Sequence, residues 1–178
     1  MDESVDVQAY EAVLNEILPG LTNCVRDANL PSDVAAKYIP GMIIRNPAFT
    51  DASCRVMGMA TTHRYAILTN HMADLSRYEH GTNWGLVVAQ ADAHFKVLDV
   101  FFYNGKTQIL LLHLPDDDRW RMFENMSFNL EEQLIADCRE RFKAKCCADV
   151  IPELATQEWL SRCDFPLGID PRGELFQP

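Results

Sequence analysis

The sequence predicts an α+β fold in which an antiparallel sheet of five or six strands is packed by helices from both ends of the chain. The apolar residues recur with a helical period before residue 40, with a period near two from Met42 to Leu114, and with a helical period again after Pro115. The connections in the middle segment are too short for a helix, so neighbouring strands must run antiparallel. The dipeptide Asn104-Gly105, between two runs of strand formers, indicates a tight hairpin.

The chain has 178 residues, which is the size of one domain. Because no linker, repeat or low-complexity segment divides it, we predict a single domain over residues 1–178. Within it we expect a helical layer at 1–40, the sheet at 42–114, a second helical layer at 116–163 and a tail at 164–178. Apolar residues make up 48% and charged residues 24%, which is typical of globular proteins and unlike disordered, collagen-like or coiled-coil chains.

Three helices are predicted before the sheet. The first has an apolar stripe and ends at Pro19-Gly20. A second short helix is predicted at 21–28, and a third begins at Ser32 and runs to about Tyr38. The residues of the first apolar stripe are Val7, Tyr10, Val13, Leu14, Ile17 and Leu18.

The predicted strands are short and consecutive. Their ranges are 42–45, 54–60, 65–70, 84–90, 95–103 and 107–114. The hairpin turn places Tyr103 opposite Lys106, and counting back along the strands places Asp99 opposite Leu110 and Phe95 opposite Leu114. Both faces of this strand pair are apolar, which indicates a pair inside the sheet with a layer on each side.

The helical period after Pro115 predicts three more helices. Three acidic residues, Asp116–Asp118, precede the first one, where acidic side chains complement the positive end of the helix dipole. Asn129 and Glu132 form a capping-box pattern at the start of the second, which should run to about Lys145. A last short helix is expected near Thr156.

The charge balance narrows the class of partner. With 16 Lys and Arg against 26 Asp and Glu, the formal net charge is −10, which opposes binding to nucleic acid or to an anionic membrane. A macromolecular partner would therefore be a basic protein. The start of the chain is acidic and has no apolar run of a signal peptide, and no segment is long enough to span a membrane, so we predict a cytoplasmic protein whose cysteines are thiols.

Known cofactor and metal motifs are absent from the sequence. The isolated glycines form neither G-x-G-x-x-G nor a P-loop, so no cofactor is predicted. No C-x-x-C occurs and no two histidines are three or four residues apart, so no metal site is predicted, although His71 and His113 could meet across a sheet. The sequence favours solvated or locally bonded roles for His63, His80 and His94.

Asp99 is the strongest single anomaly, since the hairpin register places its carboxylate on an apolar face, where an unpaired charge is costly. It could orient a histidine or act as an acid. It could instead form a structural ion pair with an arginine such as Arg55 or Arg64, or sit at a bulge. The sequence favours the structural role. Cys54 is the one cysteine that we consider as a nucleophile, with His71 or His113 as its base.

Two function classes follow from these features. The leading hypothesis is an acidic protein-binding module, such as an immunity protein or another inhibitor of a basic effector like a nuclease toxin. The residues of its predicted binding surface are Tyr78, Glu79, Asp116, Asp117 and Asp118. The alternative is a small hydrolase-like enzyme with a pocket lined by the sheet. Its predicted catalytic residues are Asp99, His113, His71 and Cys54. A ligand-binding, barrel-like sheet is a third class, and the two-sided apolar sheet also admits a homodimer interface.

Overall fold

The computed structural model describes residues 6–178, so residues 1–5 of the predicted helical layer lie outside it. The described chain is α+β, as predicted. Its α-helices are α1 (Val7–Ile17), α2 (Ser32–Ala35), α3 (Glu131–Lys145) and α4 (Gln157–Arg162), with short 3-10 helices at Ser76–Tyr78, Asp118–Phe123 and Pro152–Ala155. Its strands are β1 (Thr22–Ala28), β2 (Ile43–Asn46), β3 (Thr50–Ser53), β4 (His63–Thr69), β5 (Ala73–Asp74), β6 (Leu86–Ala89), β7 (Ala93–Tyr103) and β8 (Lys106–His113).

The strands form one mixed sheet in the order β2-β7-β8-β4-β1-β3-β6-β5. Within residues 6–178, β4 and β8 are the one pair of strands that run parallel, and the other pairs are antiparallel. The sheet is therefore larger than predicted and not purely antiparallel. The reason is a long crossover, since β5, β6 and β7 all lie between β4 and β8 in the chain, and parallel neighbours need such a connection.

Two elements are predicted wrongly in the part of the sheet that lies on the opposite side of β4 from β8. The segment predicted as a helix at 21–28 is the strand β1, which pairs with β4 along its whole length from Thr22↔Thr69 to Ala28↔His63. Pairing in the sheet interior outweighs a weak local helical pattern here. In place of the strand predicted at 54–60, the structure has β3, which ends at Ser53. Residues 54–60 form a loop in which Gly58 lies so close to the chain that an added Cβ would be 1.9 Å from the Ala148 carbonyl oxygen.

The predicted hairpin register is confirmed from Tyr103↔Lys106 to Asp99↔Leu110. A β-bulge between Val97 and Asp99 then shifts it by one residue, so that Phe95 pairs with His113 instead of Leu114. A shift of one residue moves side chains to the opposite face. Phe95 and Val97 accordingly pack in the core cluster on the side of the sheet that is opposite Leu110.

Each face of the sheet has its own core. One face is covered by α1, α3 and the 3-10 helix that carries Trp120 and Phe123. The other face is covered by the segment around Tyr38 and by the C-terminal tail, from which Leu167 and Ile169 are buried. This double cover explains why the β7–β8 pair is apolar on both sides. Among the described helices, none is both long enough and apolar enough to cross a membrane.

Two of the helices predicted after Pro115 differ from the prediction at their starts. The segment after Asp116–Asp118 is a short 3-10 helix with Asp117 as its N-cap, where the Asp117 side chain accepts from the Arg119 amide. The long helix α3 begins at Glu131, with Leu130 at the N-cap position in place of the predicted Asn129. The predicted helix start at Thr156 is confirmed, since its side chain accepts from the Trp159 amide.

Candidate functional site

The parallel pair β4–β8 brings two distant histidines to the same edge of the sheet. Leu68 lies beside Leu112, so the carboxyl ends of both strands meet at one edge. His113 is the last residue of β8, and His71 follows β4 by two residues. Sites in sheets with parallel strands commonly lie beyond the carboxyl ends of those strands.

The two histidines form a compact cluster with an aspartate. The ring of His71 stacks on the ring of His113, with centroids 3.9 Å apart and an interplanar angle of 17°. Asp116 lies just beyond β8, and its Oδ1 is 3.3 Å from His113 Nε2 while its Oδ2 is 3.9 Å from His71 Nε2. One ligand atom from each of the three side chains lies within 4.8 Å of the other two.

His113 is the fixed member of this cluster. Its side chain is 1% exposed, and its Nδ1 lies 2.9 Å from the hydroxyl of Thr69. The same hydroxyl accepts from the backbone amide of His71 over 3.2 Å, which links the two strand ends. Although Asp116 is close, His113 Nε2 has no hydrogen-bond partner among residues 6–178. This nitrogen is therefore a buried polar atom that points to the carboxylate without a full hydrogen bond.

His71 is half-buried and faces acceptor oxygens on both sides. Its Nδ1 is 2.9 Å from Asn70 Oδ1, and its Nε2 is 3.2 Å from the carbonyl oxygen of Leu114. The Asn70 amide nitrogen donates to the carbonyls of Glu16 and Pro19, so Asn70 Oδ1 is the atom that faces the ring. An N–H group at His71 Nδ1 donates to Asn70 Oδ1. Nε2 is then the nitrogen that can gain or lose a proton.

The environment shifts two of these groups in a direction that suits proton transfer. Burial lowers the pKa of His71, and the neighbouring His113 lowers it further, while Asp116 opposes the change. Burial alone would raise the pKa of Asp116, but the neighbouring His113 and His71 imidazoles hold it below its ordinary value. A neutral imidazole beside an ionised carboxylate is the arrangement of a general base.

The cluster borders a cleft of about 530 Å³. His71 and Asp116 line it together with Glu16, Asp117 and Arg119. Arg119 donates hydrogen bonds to the carboxylates of both Glu16 and Asp117 and lowers the pKa of each. Since one arginine faces three carboxylates, the wall of the cleft is acidic.

A second cavity of about 320 Å³ lies on the other side of the Asn70–His71 segment. Cys54 and Cys24 both line it, together with His71. Burial raises the pKa of the Cys24 thiol to about 11, which makes that thiol inert. Cys54 is exposed, and within residues 6–178 its thiol makes no hydrogen bond. The structure thus brings Cys54 to the same cavity as His71 without joining the two in a hydrogen bond.

Asp99 lies away from the cluster and has a structural partner. Arg139 from α3 donates to it through Nε and Nη2, over 2.8 and 2.7 Å. The predicted ion pair is therefore present, but the partner is neither Arg55 nor Arg64. Arg64 instead pairs with Asp27, over 2.8 Å.

The residues predicted to bind a partner have different environments. Tyr78 is 69% exposed, as an interface residue would be. Glu79 is occupied within its own loop, where its carboxylate accepts from the amides of Trp84, Gly85 and Leu86. Asp117 caps the 3-10 helix and Asp118 lies in its first turn.

Sequence reasoning placed Asp116 in the partner-binding surface and at a helix start, and not beside the two histidines, because three consecutive aspartates at a helix start are explained by capping. The available signal was the three-residue step from His113 to Asp116 at the end of a buried strand. His94 was also misjudged. It is buried and stacks on Trp120 at 4.1 Å, whereas the sequence predicts a solvated or locally bonded side chain.

No protein-family model matches the sequence, and no curated protein matches it. Solved structures with a similar course of the chain include HopU1, an ADP-ribosyltransferase of Pseudomonas syringae, at 16% identity over 53% of this chain and 46% of that one, with a TM-score of 0.47. The type III effector XopAI from Xanthomonas axonopodis is 13% identical over 53% of this chain and 44% of its own, with a TM-score of 0.46. Exoenzyme S from Pseudomonas aeruginosa is 12% identical over 71% and 64%, with a TM-score of 0.46.

The chain thus spans less than half the length of HopU1 and XopAI. The predicted function as an acidic protein-binding module or immunity protein is wrong: the similar solved structures are a type III effector, ADP-ribosyltransferases and exoenzymes. The predictions of a basic protein partner and of a homodimer stay predictions.

Proposed function

We propose that the chain is a small hydrolase-like enzyme whose reactive centre is the cluster of His71, His113 and Asp116. The observation that carries this proposal is the convergence of the three side chains at the wall of a cleft large enough for a small substrate. This is the alternative function predicted from the sequence. Asp116 has the role of the acidic residue that the sequence analysis assigned to Asp99.

The division of labour follows from burial and hydrogen bonding. His71 is the member that borders the cleft, and its lowered pKa leaves a neutral imidazole at pH 7 to accept a proton. Asp116, whose Oδ2 is 3.9 Å from His71 Nε2, stabilises the imidazolium that forms through its negative charge. His113 is held by Thr69 and keeps the Asp116 carboxylate in position beside His71.

The reaction then needs no further group. His71 takes a proton from water, the hydroxide attacks the scissile bond, and the imidazolium returns the proton to the leaving group. The acidic wall formed by Glu16, Asp117 and Asp116 disfavours strongly anionic substrates, so we expect a neutral or cationic small molecule.

The test is a panel of three bond types: p-nitrophenyl acetate, p-nitrophenyl phosphate and NAD, which carry a carboxyl ester, a phosphate ester and an N-glycosidic bond. We expect turnover of one class, with His71→Asn and Asp116→Asn each lowering kcat/KM by about 100-fold or more. His80→Asn is the matched control, since His80 is an exposed histidine outside the cluster. No turnover of any class, or an equal loss in His80→Asn, would count against the proposal.

A further inference from the structure

The same three side chains have the composition and arrangement of a catalytic metal site. Two imidazoles and one carboxylate are a common ligand set for Zn²⁺ in enzymes, in which three protein ligands leave one position open. Within residues 6–178, His71, His113 and Asp116 are the one group of three such donors that lies close enough to hold a metal ion. The question is whether their geometry fits.

The distances agree with a tetrahedral ion at one edge of the cluster. Zn²⁺ bonds of about 2.0–2.1 Å place neighbouring tetrahedral ligands about 3.3 Å apart. His113 Nε2 and Asp116 Oδ1 are 3.3 Å apart, and His71 Nε2 and Asp116 Oδ2 are 3.9 Å apart. Because the His71 and His113 rings stack, a shared ion requires the half-buried His71 ring, which lies at the border of both cavities, to turn out of the stack so that its Nε2 faces the ion.

Both histidines also have the outer partners that metal ligands usually have. A ligating histidine almost always donates its second nitrogen to an oxygen, which fixes the ring and the tautomer. Asn70 Oδ1 is in that position for His71 Nδ1, and the Thr69 hydroxyl is in that position for His113 Nδ1. The Nε2 atoms of both rings are therefore the ones directed at Asp116.

A second, independent observation comes from the buried nitrogen. His113 is 1% exposed, and its Nε2 has no hydrogen-bond partner in the described part of the chain. A buried polar atom without a partner is costly unless another group satisfies it. A cation between this nitrogen and the Asp116 carboxylate would do so.

We infer that His71, His113 and Asp116 bind a divalent transition-metal ion, best matched by Zn²⁺, with the fourth position open toward the cleft of about 530 Å³. This goes beyond the proposed hydrolase, because it requires binding and no turnover. With the ion bound, His71 would be a ligand in place of the proton acceptor, and a metal-bound water of lowered pKa would supply the hydroxide.

The test is titration of the chelator-treated, full-length protein with ZnCl₂ by calorimetry. We expect one ion per chain and a loss of affinity of more than about 100-fold in Asp116→Asn and in His71→Asn, which is more than the loss of an outer partner gives. Both positions are partly exposed, so these variants should fold, which far-ultraviolet circular dichroism checks, whereas His113 is buried in the core and is left unchanged. His80→Asn is the control and should bind as the parent does.

A second control separates this site from the thiols. The two exposed cysteines, Cys54 and Cys147, are changed to Ser together, and Zn²⁺ affinity should not change. The inference is overturned if no binding occurs, if Asp116→Asn and His71→Asn bind as tightly as His80→Asn, or if the double cysteine variant loses the ion. Binding without turnover of any substrate would contradict the hydrolase alone.

Discussion

Arg139 of α3 binds the Asp99 carboxylate of β7 through two parallel hydrogen bonds, 2.8 and 2.7 Å long. The Asp99 side chain is 8% exposed and that of Arg139 is 42% exposed, so the two partners lose different amounts when the pair is broken. The bonds attach α3 to the sheet beside the bulge between Val97 and Asp99.

The two halves of this pair should have unequal effects on stability. We expect Arg139→Leu to lower the free energy of unfolding by about 2 kcal/mol or more, because it leaves the buried Asp99 charge unpaired. Asp99→Asn should cost only about 1 kcal/mol, since the Arg139 guanidinium can turn to solvent. Urea unfolding of both variants measures this, with Lys143→Leu as an exposed ion-pair control. A larger loss in Asp99→Asn would contradict the argument.

This pair also shows what the sequence can and cannot predict. The hairpin turn at Asn104-Gly105 fixes the register locally, so the buried position of Asp99 could be found by counting residues. Its partner could not, because Arg139 reaches Asp99 only through the docking of α3 on the sheet, which no local pattern encodes. A bulge at Asp99 was one of the alternatives that the sequence left open, and no local pattern singled it out, since a bulge inserts one residue into an otherwise regular run.

The candidate site was also predicted only in part, because it depends on contacts between distant parts of the chain. His71 and His113 were named as residues that could meet, but their neighbour Asp116 was assigned to a helix start. The parallel pairing of β4 with β8 is what unites the three, and it depends on a crossover through three other strands. The helix start at Thr156 is a local signal and was predicted correctly, whereas the capping-box pattern at Asn129 did not give the N-cap.

The loop that carries Glu79 should lose stability at low pH. Burial opposes the Glu79 charge, but hydrogen bonds from the Trp84, Leu86 and Gly85 amides and from Thr82 lower its pKa. The lowered pKa in the folded state means that this carboxylate stabilises the protein above its unfolded pKa of about 4.3, and that the effect is lost as the pH falls through the folded value.

We therefore expect Glu79→Gln to cost about 1–3 kcal/mol at pH 7 and progressively less below about pH 4. Urea unfolding at several pH values measures the difference between parent and variant. Glu140→Gln is the control, because Glu140 is exposed and bonds only to Lys143 among the described residues. A cost that stays constant down to pH 3 would contradict the assignment.

The C-terminal tail should depend on two buried tyrosines. Tyr65 Oη accepts from the Leu167 amide over 3.2 Å and lies 2.6 Å from Tyr38 Oη, which donates to the Leu167 carbonyl over 2.7 Å. Burial raises the pKa of Tyr65 to about 12, so the hydroxyl stays protonated.

Tyr65→Phe leaves the Leu167 amide unpaired, and we expect a loss of about 1–3 kcal/mol together with faster tryptic cleavage after Arg172. Tyr78→Phe, which changes an exposed tyrosine, should leave both unchanged. If the tail of Tyr65→Phe is cleaved at the parent rate, these bonds do not hold it in place.

Cys54 should behave as an ordinary thiol. Among residues 6–178 its exposed side chain has no hydrogen bond to a base that would activate it as a nucleophile. We expect iodoacetamide to modify Cys54 and Cys147 at rates within about threefold of each other, and His71→Asn to change neither rate. Peptide mapping by mass spectrometry measures both. If Cys54 is modified much faster than Cys147 and its rate falls in His71→Asn, Cys54 is a thiol nucleophile. It would then take the place of water in the proposed reaction.

The parallel pairing of β4 and β8 also has a consequence for how the protein folds. The β7–β8 hairpin closes a two-residue turn, whereas β4 and β8 meet only after a long stretch of chain has been ordered, and closing such a loop costs entropy before any contact repays it. We therefore expect His71 and His113 to come together late on the folding pathway, after the hairpin. A newly made or partly unfolded chain would have most of its strands and no working cluster, which confines any reactivity of the site to the fully folded molecule.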